Sequence, residues 1–312
     1  MKQRVLVTGG AGYIGSILCE HLLARGYSVT VLDTLLYHQQ TLFHLCANPD
    51  FEFVFGDVRD EKILAPLVKN ADIIIPLAAI VGAPACDRDV LMSTSVNVDA
   101  IRLINRLRST SQLLIYPTTN SGYGTKSGAM HCTEETPLEP ISLYGQTKVD
   151  AEMLVLDSEN VITYRLATVF GMSPRMRLDL LVNSFTWAAV QDGYVTIFEK
   201  DFKRNYIHVR DVADCFIHGI ENRTKMIGRP YNLGLESANL SKEELALKIK
   251  EVVPNFYLHF AEFGTDPDKR NYIVSNERLK KAGFEARHSL EEGIRELVKG
   301  YRMMKRQPHR NV

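Results

Sequence analysis

A hydroxyl at Thr119, a phenol at Tyr144 and an ammonium at Lys148 fall in one segment that opens T-T-N-S-G-Y-G and closes Y-G-Q-T-K. On a helix, the four-residue spacing of Tyr144 and Lys148 puts both side chains on one face, where the cation stabilises a phenolate. A tyrosine, whose ordinary pKa is about 10, then becomes an acid or base near neutrality. Tyrosine and lysine also meet at this spacing on plain solvated helices. The pattern therefore takes its meaning from the elements around it.

The chain begins V-L-V-T-G-G-A-G-Y-I-G, which places Gly9, Gly12 and Gly15, with Tyr13 and Ile14, at a strand-to-helix turn. Glycines there allow a tight turn and close backbone approach, so that a pyrophosphate sits on the helix N-terminus. Asp33 ends the next strand, where an acid holds ribose hydroxyls and favours NAD over NADP. A glycine-rich turn that serves packing alone is the plain alternative, and the strand, helix and acid around it argue for a dinucleotide. Asp57 and Val58 follow the third strand, where a carboxylate reaches toward an adenine amino group. Leu77, Ala78 and Ala79 follow the fourth, where small residues let a cofactor lie against backbone. Asn97 reads as a structural residue bonded to neighbouring backbone.

Short β-branched runs at 5–8, 28–33, 51–55, 72–77, 113–116 and 161–165 alternate with helical patterns at 13–25, near 42, and at 61–68, 90–107 and 144–156. Near-continuous apolar strands alternating with helices specify an α/β fold, a doubly wound parallel sheet covered on both faces. A helix at 211–221 and a strand at 231–233 continue that sheet. The rhythm changes after Gly171, so residues 1–171 and 205–233 are expected to form a NAD-binding Rossmann domain. Residues 172–204 and 234–312 are then a smaller discontinuous α/β domain for substrate. The basic tail at 305–312 is expected to fray.

The 312 residues are 45% hydrophobic and 24% charged with zero formal net charge, which gives no general attraction for nucleic acid or an anionic membrane. Five scattered cysteines without a CxxC pair fit a reduced, cytoplasmic chain. No signal peptide is read at the N-terminus, and the apolar stretch at 73–85 is broken by Pro76 and Pro84. The nine histidines show no ligand spacing, so no metal is expected.

A second cluster, M-S-P-R-M-R-L-D-L-L-V-N, carries Arg175, Arg177, Asp179 and Asn183, and with Arg204 and Arg270 it supplies cations to one cleft. Guanidinium groups bind phosphate oxygens in pairs, which suits a nucleotide diphosphate. Solvated arginines paired with Asp179, Asp201 and Asp268 are the alternative.

Taken together, TGGAGYIG, Asp33, GDV, LAA, TTNSGYG, YGQTK, YRLATVFG, RNYIHVRDVA and YNLG resemble an extended short-chain dehydrogenase/reductase of the NAD-dependent nucleotide-sugar epimerase/dehydratase family, over essentially the whole chain. The resemblance implies that Thr119 binds a sugar hydroxyl, Tyr144 moves its proton, Lys148 holds the cofactor ribose and Arg204 meets the nucleotide diphosphate. It also implies a homodimer built on two helices per subunit, one of them carrying Tyr144. The family's 4,6-dehydratases follow their threonine with an Asp-Glu pair, whereas this chain has Asn120 and Ser121, placed against the substrate. Neither can carry out that proton transfer. The N-S-G-Y-G, SPRMRLDLLVN and DPDKRNYIVSN signatures are further similar to NAD-dependent C4 oxidases of nucleotide-activated heptoses from bacterial capsule pathways. The expected activity is thus C4 oxidation of a nucleoside-diphosphate sugar such as a GDP-heptose. A 4-epimerase, a reductase and a non-catalytic NAD-binding sensor remain as alternatives.

Overall fold

A computed structural model describes residues 2–38, 40–125, 131–262, 264 and 271–304. Arg270 and the tail at 305–312 lie outside the described residues. Seven parallel strands form the central sheet: β1 (Arg4–Thr8), β2 (Ser28–Asp33), β3 (Phe51–Phe55), β4 (Ile73–Pro76), β5 (Leu113–Thr119), β6 (Val161–Leu166) and β7 (Arg229–Leu233). Their order is β7-β6-β5-β4-β1-β2-β3. Strand side chains alternate between faces, and the residues sort accordingly. Val5, Val7, Ile73, Ile75, Leu113 and Ile115 enter one apolar cluster, while Leu6, Ile74, Leu114 and Tyr116 enter the other.

Helix α1 (Tyr13–Ala24) packs with Val209–Glu221 on the first face. Helices Glu61–Asn70, Ala100–Leu107 and Leu143–Leu156 supply the second. The order reverses between β1 and β4. In an open α/β sheet the crevice at the carboxyl ends of two such strands is where ligands bind.

The expected elements recur, with three differences. Strand β5 runs past Tyr116 to Thr119, because Pro117 keeps its place in the parallel register, opposite Tyr164. A proline inside a central strand argues against strand from sequence alone, since it removes a ladder donor. The pattern at 90–107 is helical throughout but divided by a π-helical turn, Ser95–Asp99, which turns Asn97 into the interior. The expected domain boundary at 204/205 falls inside the strand Lys203–His208, which pairs with Thr168–Phe170 on one side and Asn239–Ser241 on the other.

Helices Leu181–Gln191, Lys242–Val252 and Leu290–Met303 pack together beyond that strand. The last two each begin in a capping box, Ser241 with Glu244 and Ser289 with Glu292, as the S-x-x-E spacing requires. Their apolar faces belong to the same cluster as β1 and α1. The two parts therefore share a core.

Candidate cofactor and catalytic cleft

The crevice at the strand-order reversal is a cavity lined from Gly9, Gly12 and Asp33 through Asp57 and Ala78 to Tyr144 and Lys148. Its floor admits nothing larger than glycine at two points. A Cβ on Gly9, whose φ is +72°, would sit 2.5 Å from the Ala78 nitrogen, and one on Gly15 would sit 2.6 Å from Gly10 Cα. No side chain caps the start of α1, whose N-cap is Gly12, and its first turn lines the cavity, which leaves an uncapped helix end there suited to an anion. Asp33 is held at the rim by the amides of Ala11, at 2.9 Å, and Leu35, at 2.8 Å. Burial raises its carboxyl above the usual range, opposed by those hydrogen bonds and by Arg175. The cradle, the helix end and the acid fit a dinucleotide.

At the opposite end, helix Leu143–Leu156 starts from Ser142, whose hydroxyl accepts the Gly145 amide at 3.1 Å. Tyr144 in its first turn and Lys148 one turn on both line the cavity. Lys148 is 5% exposed, with its ammonium 4.1 Å from the Tyr116 ring centre. Burial pushes its pKa down to about 7, and Glu152, a further turn along, pulls it back up. A buried ammonium near its titration point gains from any ligand that offers oxygen acceptors, as ribose hydroxyls do.

Thr119 ends β5 beside these groups. Its hydroxyl donates to Ser121 Oγ at 2.9 Å and accepts the Ser121 amide at 3.1 Å, which fixes its rotamer. Asn97 behaves as a structural residue. Its amide accepts from Ile80 N at 2.9 Å and donates to Ile80 O at 3.0 Å and to Thr147 at 3.2 Å.

Behind the helix lies a buried polar network. Arg165 Nε bonds Glu152 at 3.0 and 3.2 Å, and Thr163 donates to the same carboxylate at 3.0 Å. Arg165 also donates to Tyr123 Oη and the Glu134 carbonyl, each at 3.1 Å, and Tyr123 donates to Asn232 at 2.7 Å. Tyr144, Lys148 and Glu152 thus climb one helix face, pinned at its far end to β6. Glu152 was legible as the next step of that four-residue spacing.

The residues read as one substrate cluster do not stay together. Arg175 and Arg177 line the dinucleotide cleft; Arg177 pairs with Asp179, and Arg175 stacks on Tyr37 with its Cζ 4.1 Å from the ring centre. Asn183, expected against the substrate, is turned into the interior. It is fully buried and spends its amide on Gly171 N at 3.1 Å, Tyr13 Oη at 3.1 Å and Arg177 O at 3.0 Å. Arg204 is buried in the strand Lys203–His208, away from the walls of this cavity. Thr119, Asn120 and Ser121 lie at the end of β5, adjoining the lining residue Thr118. Asp57 lines the cleft with both oxygens engaged by Arg59, the closest contact being 2.6 Å. Tyr37 and Leu36 line the cavity without any sequence signal, because a loop after β2 has no period to read.

A sequence profile described as the NAD dependent epimerase/dehydratase family matches residues 5–234. A low-salt glycan biosynthesis protein, Agl12, of Haloferax volcanii is 30% identical over 95% of this chain and 98% of its own length. The fold is that of the UDP-glucose 4-epimerase of Thermotoga maritima solved with UDP-glucose (TM-score 0.86, 24% identity, 96% of this chain and 99% of that one). It is also that of the dTDP-glucose 4,6-dehydratase of Bacillus anthracis solved with NAD (TM-score 0.83, 22% identity, 96% and 97%).

Proposed function

The chain belongs to the NAD-dependent epimerase/dehydratase family, acting on nucleotide sugars with NAD as cofactor, and from that premise we propose that it oxidises C4 of a nucleoside-diphosphate sugar. The observation that carries this reading is Tyr144 and Lys148 on one helix face in the dinucleotide cleft, with Thr119 fixed at the adjoining strand end. When bound, NAD supplies the hydride acceptor. Thr119 and Tyr144 hold the C4 hydroxyl between them. Tyr144 takes the hydroxyl proton, and Lys148 keeps the phenolate form accessible by its charge. Fixing these groups on a strand end and a helix turn removes much of the orientational cost of the step.

Asn120 and Ser121 support oxidation without dehydration, since neither side chain exchanges a proton at neutral pH. We infer a net C4 dehydrogenase of a GDP-heptose as the specific reading, within surface-glycan or capsule synthesis. The relative engaged in glycan biosynthesis supports that setting. A 4-epimerase passing through the same 4-keto sugar is the second reading, favoured by the shared Thr-Tyr-Lys set. Residues 172–204 and 234–312 are proposed as the part of the chain that binds the nucleotide sugar. Exposed Val90, Leu91 and Met153, on the helices Val90–Thr94 and Leu143–Leu156, support a homodimer through those helices.

Incubation with NAD and a panel of GDP-, UDP- and dTDP-sugars, following NADH and product together, tests the reading. Stoichiometric NADH with a 4-keto product is expected. A C4 epimer without NADH build-up moves the assignment to epimerase, and a 4-keto-6-deoxy product overturns the role given to Asn120 and Ser121. Cofactor choice is checked separately. Asp33→Ala is expected to weaken NAD at least about tenfold, the scale of a charge-assisted hydrogen-bond pair, with far less effect on NADP. Equal weakening of both removes Asp33 from cofactor selection.

A further inference from the structure

Arg175 is the feature of the cleft that the proposed chemistry leaves unused. It sits in the segment between the strand Thr168–Phe170 and helix Leu181–Gln191, yet reaches the wall formed by the glycine loop, Asp33 and Tyr37. The side chain is held from two sides: the guanidinium Cζ lies over the Tyr37 ring, 4.1 Å from its centre, and Nη1 donates to the Met176 carbonyl at 2.9 Å. The residue is 3% exposed, and Nη2 is sealed from water with no hydrogen-bond partner among the described residues.

Arginine stays charged, so a buried guanidinium edge without an acceptor carries an unrecovered desolvation cost. The acids nearest to hand are committed elsewhere: Asp33 to the amides of Ala11 and Leu35, and Asp179 to Arg177. Burial and then the like charge of Arg177 work against its ionised form, opposed by Tyr37, Asp179 and Asp33. The same cleft offers one anion-binding device, the uncapped start of α1 at Gly12. Arg175 lines the same cleft as that helix end.

We propose that Arg175 binds the pyrophosphate of the dinucleotide, closing the cofactor cleft with a cation that comes from outside the first domain's glycine loop. The cation–π contact with Tyr37 and the bond to the Met176 carbonyl hold the guanidinium so that its free edge meets phosphate oxygens with little further ordering. Arg175 thereby belongs to the cofactor's pyrophosphate and not to the sugar nucleotide's diphosphate, two sources of the same chemistry that an experiment can separate. The inference rests on the proposed reading only in taking this cleft as the dinucleotide site.

Calorimetric titration of the full chain with NADH, ADP-ribose and GDP, for wild type, Arg175→Gln and Arg175→Lys, tests it. NADH and ADP-ribose are expected to weaken about 10- to 100-fold in Arg175→Gln, with GDP unchanged and Arg175→Lys intermediate, the range for a lost charge-assisted pair of hydrogen bonds. Unchanged NADH and ADP-ribose affinity in the folded Arg175→Gln protein overturns the proposal. A loss confined to GDP also overturns it and gives the residue to the sugar nucleotide. Circular dichroism melts establish that the variants are folded, and Arg175→Lys, which keeps the charge, provides the reading if Arg175→Gln does not fold. Because the readout is binding, it stands whether or not any nucleotide sugar is oxidised.

Discussion

Tyr144→Phe is expected to lower turnover of the sugar nucleotide by roughly 100- to 10,000-fold, the range for removing a positioned acid-base group. Only the phenolic oxygen is lost. The ring stays in the first turn of its helix, and Ser142 still caps the Gly145 amide. The glycine cradle and Asp33 lie at the other end of the cleft, so NADH affinity should change little. Stopped-flow NADH formation beside NADH titration separates the two effects. Substantial turnover in the variant would falsify the proton-transfer role. Equal loss of binding and turnover would make Tyr144 a structural residue.

The second large effect is expected behind the helix and not in the cleft. Glu152→Gln removes the charge opposite Arg165, whose side chain is 5% exposed, while that of Glu152 is 1% exposed. Breaking one side of a buried pair strands the remaining charge, a loss of about 3–5 kcal/mol of stability. Denaturant unfolding measures it. The double variant Glu152→Met with Arg165→Met should recover a large part, because two apolar side chains leave no stranded charge; simple additivity of the two single losses would show that the residues are not coupled.

The substitution also reaches Lys148. Burial lowers that lysine to about 7 and Glu152 acts against burial, so removing the carboxylate lowers it further. The ammonium is lost as pH rises through its pKa. The alkaline limb of activity in Glu152→Gln should therefore move to lower pH. Two consequences from one residue, in stability and in the pH profile, separate this charge relay from simple packing.

Much of the sheet was legible in the sequence. Continuous apolar runs such as V-L-V and I-I-I need burial on both faces, and only a parallel sheet between helix layers offers it. The alternation that sends Val5 and Val7 to one core and Leu6 to the other is written in the pleat. The glycine loop, Asp33 and the Tyr144–Lys148 pair were readable for a related reason: each depends on spacing within one element or one turn, and local geometry follows from local sequence. Pro117 is the exception, where a local rule against strand gave way to the register of β5 with β6.

What the tertiary structure alone decided is which distant segments meet. Arg175 and Arg177 share a motif with Asn183, yet the first two face the dinucleotide cleft while Asn183 is consumed by Tyr13, Gly171 and the Arg177 carbonyl. Tyr37 precedes Arg175 by most of the first domain and still lies under its guanidinium. Composition and spacing establish that a residue carries a charge or a ring, but not what it will be packed against. That depends on how β1 to β7 stack and how the last helices close on them, a sum of long-range contacts with no period in the chain.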